Sequence, residues 1–141
     1  MDFDDDLKQV LLFSPIEANL ADPHSVFARV ECAGYSHETS VVNATAAPSW
    51  HEEFSFPVTD PSGQIVVSVH ARKSSLLGRS SRFLGQARLS LYEMVEDDGD
   101  GTGGGSKSDI DRWEPLCDEE WEDTTTQIHF NYLIKQEVVG L

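Results

Sequence analysis

Two stretches of this chain carry enough like charge to bind something, and their signs are opposite. Between Pro61 and Tyr92 there is no Asp or Glu, yet Arg72, Lys73, Arg79, Arg82 and Arg88 fall there, five of the ten basic residues. Within that stretch Arg72-Lys73-Ser74-Ser75-Leu76-Leu77-Gly78-Arg79-Ser80-Ser81-Arg82 sets Leu76 and Leu77 between the cations. Leucines flanked by Arg and Lys suit a groove on an acidic protein. They also suit an anionic headgroup layer, where each cation near the surface is worth about 1 kcal/mol. A solvated loop whose leucines fold back onto their own domain is equally compatible with the residues. From Glu93 to Asp123 the balance reverses, with Lys107 and Arg112 standing among the acids. The net charge of −15 excludes general nucleic-acid binding, because phosphate contacts need clustered Lys and Arg. It also opposes approach to a bilayer unless the acidic segments face away, which tilts the reading toward a protein partner.

Other chemistry fails on spacing. Glu96-Asp97-Asp98-Gly99-Asp100-Gly101 begins like a helix-loop-helix calcium loop, but Lys107 stands at the twelfth position, where a bidentate Glu is needed. Gly103-Gly104-Gly105-Ser106-Lys107-Ser108 suggests a phosphate loop, yet Ser106 interrupts the Gly-Lys pair and no strand–loop–helix context surrounds it. Asp118-Glu119-Glu120-Trp121-Glu122-Asp123 can attract a basic partner around Trp121, although such runs are more often solvated loops. His24, His37, His51, His70 and His129 lack metal-ligand spacing. No nucleophile–base pair is identifiable. The sequence therefore predicts no enzyme, no cofactor and no metal.

The elements that position these residues follow from apolar periodicity. Val26, Ala28, Val30 and Cys32 alternate with their neighbours, as do Phe54, Phe56 and Val58, and Ile65, Val67, Val69 and Ala71. Gly85, Ala87, Leu89 and Leu91 repeat the pattern, and so do Ile128, Phe130 and Tyr132. A period of two is the mark of a half-buried strand. Leu7 to Ser14, Glu38 to Asn43 and Arg112 to Leu116 read as three further short strands, and Gly34-Tyr35-Ser36 as a turn. Arg72 to Phe83 has no period and reads as a loop. Pro57 cannot donate a ladder hydrogen bond, which places its strand at a sheet edge or ends it there. Eight short strands without a convincing helix predict an all-β antiparallel sandwich. At 141 residues the chain is expected to form a single domain, residues 1–141, with an acidic tail at 1–6 and a flexible Gly- and Asp-rich insertion at 96–111. It is expected to be part of a longer protein. Cys32 reads as a small core residue, and a disulfide with Cys117 has no support in the sequence. Nothing reads as a signal peptide or as an apolar run of membrane-spanning length. A cytoplasmic setting is therefore expected, compatible with attachment to a membrane surface or the cytoskeleton.

The stretch Ala47-Pro48-Ser49-Trp50-His51-Glu52-Glu53-Phe54-Ser55-Phe56 resembles the pattern Asn-Pro-x-Trp-Asn-Glu-x-Phe-x-Phe of the C2 domain family, with Ala47 and His51 departing from it. Asp22-Pro23, Ile65 to Ala71, Phe83-Leu84-Gly85 and Trp113-Glu114-Pro115-Leu116 stand in the family's order, and the last strand at Gln127 to Ile134 resembles its second topology. The resemblance implies an eight-stranded C2-type sandwich that binds membranes or proteins. In calcium-binding members about five Asp side chains converge between loops at one end. At the corresponding positions this chain has Asp22, Ser25, Ala71, Lys73, Ser81 and Arg82, so no calcium is expected. What the resemblance then implies is a calcium-independent targeting or scaffolding module. Its contact loop would hold Arg72, Lys73, Leu76, Leu77, Arg79 and Arg82, facing a protein partner or, alternatively, an anionic phospholipid membrane.

Overall fold

The computed structural model describes residues 7–58, 60, 62–75, 78–98 and 110–138. Apolar alternation builds nine strands: β1 (Leu7–Asn19), β2 (His24–Cys32), β3 (Tyr35–Glu38), β4 (Val42–Thr45), β5 (Phe54–Val58), β6 (Gln64–Ser75), β7 (Gly78–Ser90), β8 (Ile110–Cys117) and β9 (Asp123–Val138). One helix, α1 (Leu91–Asp98), follows β7. The strands pair in the order β3-β2-β6-β7-β8-β9-β1-β5, with β4 added to β2, and each pair is antiparallel. β6 and β7 pair along their whole length, whereas β7 meets β8 at the single pair Gln86–Cys117. At that seam the sheet folds into two layers, β3-β2-β6-β7 and β8-β9-β1-β5.

Between the layers lie Val26, Ala28, Val30 and Cys32 from β2, Ile65, Val67 and Val69 from β6, and Ile128, Phe130, Tyr132 and Ile134 from β9, all buried with Leu11, Phe13, Phe56 and Leu116. Phe13 and Phe130 stack at 4.7 Å between ring centroids. The Pro-x-Trp stretch closes the end of this core. After β4 the chain leaves β2 and bonds to the end of β1: the N–H groups of Leu20 and Ala18 donate to the Ala46 and Pro48 carbonyls at 2.8 and 3.0 Å, and the Trp50 N–H donates to the Ile16 carbonyl at 2.7 Å. Pro48 and Trp50 are buried in this crossing, and β5 follows as the edge strand that Pro57 requires.

The expected sandwich is present, with corrections. The third expected strand, Glu38 to Asn43, is instead two, β3 and β4, and the turn falls at Ala33-Gly34, whose φ angles of 54° and 83° are left-handed. Thr39 makes the break: its hydroxyl accepts the Ala28 N–H at 2.9 Å, replacing a ladder bond. β1 runs on to Asn19, and Leu91 opens α1 rather than ending a strand. Leu91 and Met94, three apart, are both buried, and the Ser90 hydroxyl caps the helix by accepting the Glu93 N–H at 3.4 Å. Glu96–Asp98 close this helix and Ile110 and Asp111 open β8, while residues 99–109 and 1–6 lie outside the described residues. Arg72 to Phe83 is no loop: β6 and β7 continue as a hairpin in register to the pair Ser75–Gly78, with Leu76 and Leu77 outside the described residues. Cys32 and Cys117 are both free thiols.

Gly85 shows how tight the seam is. A Cβ built there falls 2.8 Å from Leu116 Cβ, closer than two carbons pack. Gly85→Ala should therefore lower the unfolding free energy by about 1–3 kcal/mol, read from the urea midpoint. An unchanged midpoint would show that β7 and β8 separate freely.

Candidate functional site

The β6–β7 hairpin is the natural site, because it carries the cations beyond the end of the core. A bulge sets its register: Val69 pairs with Gly85 and His70 with Phe83, leaving Leu84 as the extra residue. Beyond it Ala71 pairs with Arg82, Arg72 with Ser81, Lys73 with Ser80 and Ser74 with Arg79. Paired residues share a face, so alternation divides the expected cluster between the two sides of the hairpin. Ala71 is buried on the core side, and Lys73 and Arg82, both exposed, stand on that side with it. Arg72 lies on the other side with Ser81. Leu76 and Leu77 fall outside the described residues, and Arg79 is placed by its backbone pairing with Ser74.

On the core side, a cleft of about 180 Å³ is lined by Leu20, Ala21, Asp22, His24, Arg82, Leu84 and Thr126. It joins the turn between β1 and β2 to β7 and β9, and so brings Asp22 and Arg82 together across the two layers. Ser25 stays outside it, at the β2 bulge, with its hydroxyl accepting the Ala44 N–H at 3.4 Å. Of the six positions inferred from the family pattern, two therefore share one cleft, and Ala71 sits beside Arg82 in the ladder.

On the outer side, a second cleft of about 300 Å³ is lined by Phe27, Arg29, Glu38, Arg72, Ser80 and Ser81. Its floor is aromatic. Phe27, which points away from the main core, is 1% exposed because His70 stacks on it at 5.1 Å and the Arg72 guanidinium covers it at 4.8 Å. Phe83 packs edge-on to His70 at 5.9 Å, and His70 Nε2 bonds Ser68 Oγ at 2.8 Å. Arg29 is held by Glu38, with Nε and Nη2 at 2.9 and 2.6 Å from one carboxylate oxygen. Sequence reasoning missed Phe27, Arg29, Glu38 and Thr126. The available signal was an apolar residue, Phe27, at an outward strand position two residues before Arg29. Among the described residues no group of three or more His, Cys, Asp or Glu is placed to hold a metal ion. None of the described helices is long and apolar enough to cross a membrane.

Residues 12–107 match the C2 domain family, and the chain belongs to it. No curated protein sequence matches it. Its fold superposes on a C2 domain of plant extended synaptotagmin 1 with a TM-score of 0.69 at 18% identity, over 92% of this chain and 95% of that one. It superposes on a calcium-bound structure of two C2 domains of extended synaptotagmin 2 with a TM-score of 0.70 at 16% identity, over 90% of this chain and 45% of that one. On human GIVD cytosolic phospholipase A2 the TM-score is 0.70 at 11% identity, over 92% of this chain and 16% of that one. At these identities the likeness is one of fold. The second and third structures extend well beyond the matched region.

Burial pushes the His70 imidazole below its ordinary pKa of 6.5, the Arg29 cation pushes the same way, and the Glu38 carboxylate opposes them. The unfolded chain thus takes up a proton at a higher pH than the folded one. The stability from neutral His70 is complete above about pH 6.5 and declines as the pH falls toward the lower folded-state value. The advantage of the native chain over His70→Gln in urea midpoint should shrink between about pH 7 and pH 5. A difference that stays constant with pH would show that His70 protonates as readily folded as unfolded.

Proposed function

We propose that this chain is a non-catalytic, calcium-independent C2 module that targets or assembles a larger protein by binding an acidic protein partner through the β6–β7 hairpin. The observation that carries the reading is Arg82 standing in one cleft with Asp22, at the end of the sandwich where the metal-binding loops of calcium-binding members converge. A hard divalent cation asks for roughly six to eight oxygens, most of them from carboxylates. This cleft offers one carboxylate, a hydroxyl and an imidazole, opposed by a guanidinium. That donor set does not fit calcium, and it leaves the exposed Lys73 and Arg82 as fixed positive charges able to meet carboxylates without an ion between. A cytoplasmic setting, peripheral to a membrane or the cytoskeleton, goes with this role.

A second reading, direct binding of anionic phospholipid, is supported by the same hairpin, because the sequence sets Leu76 and Leu77 at its tip between Lys73 and Arg79. Two measurements decide. Calcium at about 1 mM, enough for even weak calcium modules, should leave the melting temperature unchanged. A rise would sink calcium independence. In parallel, the chain should stay in the supernatant with phosphatidylserine vesicles, while a pull-down should retain acidic proteins on the native chain that Lys73→Glu/Arg82→Glu loses. Vesicle binding that this variant abolishes would instead establish the membrane reading.

A further inference from the structure

The β8–β9 turn presents a tryptophan that the fold does not need. Trp121 is 48% exposed and stands outside the core cluster. It is nevertheless held in place. Its backbone N–H donates to the Asp118 carbonyl at 3.1 Å, and the Asp118 N–H donates to the Glu122 carbonyl at 2.8 Å. The Asp118 carboxylate accepts the N–H groups of Glu120 and Glu122 at 2.9 and 3.0 Å. Trp121 also adopts a φ of 65°, a conformation that favours glycine and that a bulky side chain rarely takes. The fold thus keeps a large aromatic at a position where a small residue would make the same turn more easily.

What the ring can hold is visible in the structure. The Arg88 guanidinium, reaching across from β7, lies 4.4 Å from the Trp121 ring centroid. One face of the indole is therefore already engaged by a planar cation, the partner that its negative face prefers. Around the exposed remainder stand the exposed carboxylates of Glu119, Glu120, Glu122 and Asp123. The surface continues along β8, where Pro115 is exposed and Trp113 is 43% exposed with one face stacked on His129 at 4.8 Å.

From the half-exposed indole, the guanidinium already seated on it and the surrounding negative charge, we propose that this turn is a second docking surface, built for an arginine-rich segment of a partner protein, with Trp121 as its anchor. It is opposite in sign to the β6–β7 hairpin and independent of it. A guanidinium from the partner would lie on or against the indole while its neighbours pair with the carboxylates. The carboxylates set the approach, and the ring provides the preference for arginine over lysine.

The test must separate this from the attraction that any polycation feels for a chain of charge −15. Nona-arginine and nona-lysine are titrated into the full chain at about 0.15 M salt, with tryptophan emission and heat as readouts. Nona-arginine should bind several-fold tighter than nona-lysine. Trp121→Ala should weaken nona-arginine roughly tenfold at unchanged melting temperature, since no core contact is lost. Glu31→Gln/Glu53→Gln, which removes two exposed charges elsewhere, should leave binding within about twofold. Binding that is insensitive to Trp121→Ala, or that falls equally in the distant charge variant, would overturn the proposal. So would self-association in sedimentation velocity that Trp121→Ala abolishes, because the occupant would then be the basic hairpin of a second copy.

Discussion

The sandwich depends on one crossing. The two layers are continuous in backbone hydrogen bonding at a single β7–β8 pair, which is too little to hold them in register. The opposite side is closed by residues 46–50, which leave β2 and bond to the last residues of β1. That crossing fixes the distance between the layers, and the Phe13–Phe130 stack and the branched residues of β2 and β6 fill the space it defines. It also explains the chemistry of the stretch. Pro48 enforces an extended approach, Trp50 covers the open end of the core, and His51 at φ 51° turns the chain into β5.

The same frame sets the character of the hairpin. In the sequence the basic residues read as one cluster, and in the fold they do not act as one. Strand alternation sends Lys73 and Arg82 to the side of Asp22 and sends Arg72 to the aromatic floor of Phe27 and His70. Arg72 is partly consumed as a lid on that floor. Lys73 and Arg82 are the hairpin cations with described side chains that stay exposed to a partner.

Where one face of a strand was apolar, the sequence was enough: β2, β5, β6 and β9 follow from their period, and the family pattern located Asp22 and Arg82 as neighbours. Three features were hidden for physical reasons. The hairpin beyond Ala71 is polar on both faces, so its pairing left no hydrophobic period to read. Leu91 satisfies both the period of β7 and the three-residue spacing to Met94. The decisive sign of the helix was therefore the Ser90-x-x-Glu93 cap rather than the apolar pattern. Phe27, His70 and Phe83 each occupy outward strand positions, and only pairing across β2, β6 and β7 reveals that they pack on one another.

The extra residue at Leu84 decides which way the charge at the tip of the sandwich points. Had β7 run on without it, Arg82 would stand directly across from Arg72, two guanidiniums repelling one another on the aromatic side. Asp22 would then look into a cleft with no counter-charge on the facing strand. The bulge rotates the distal arm by half a strand period and turns that repulsion into an attraction between layers. Backbone phase, rather than any exchange of side chains, is thus what delivers the cation to its place, and an insertion or deletion of one residue in this arm can redirect it while every charged residue stays the same.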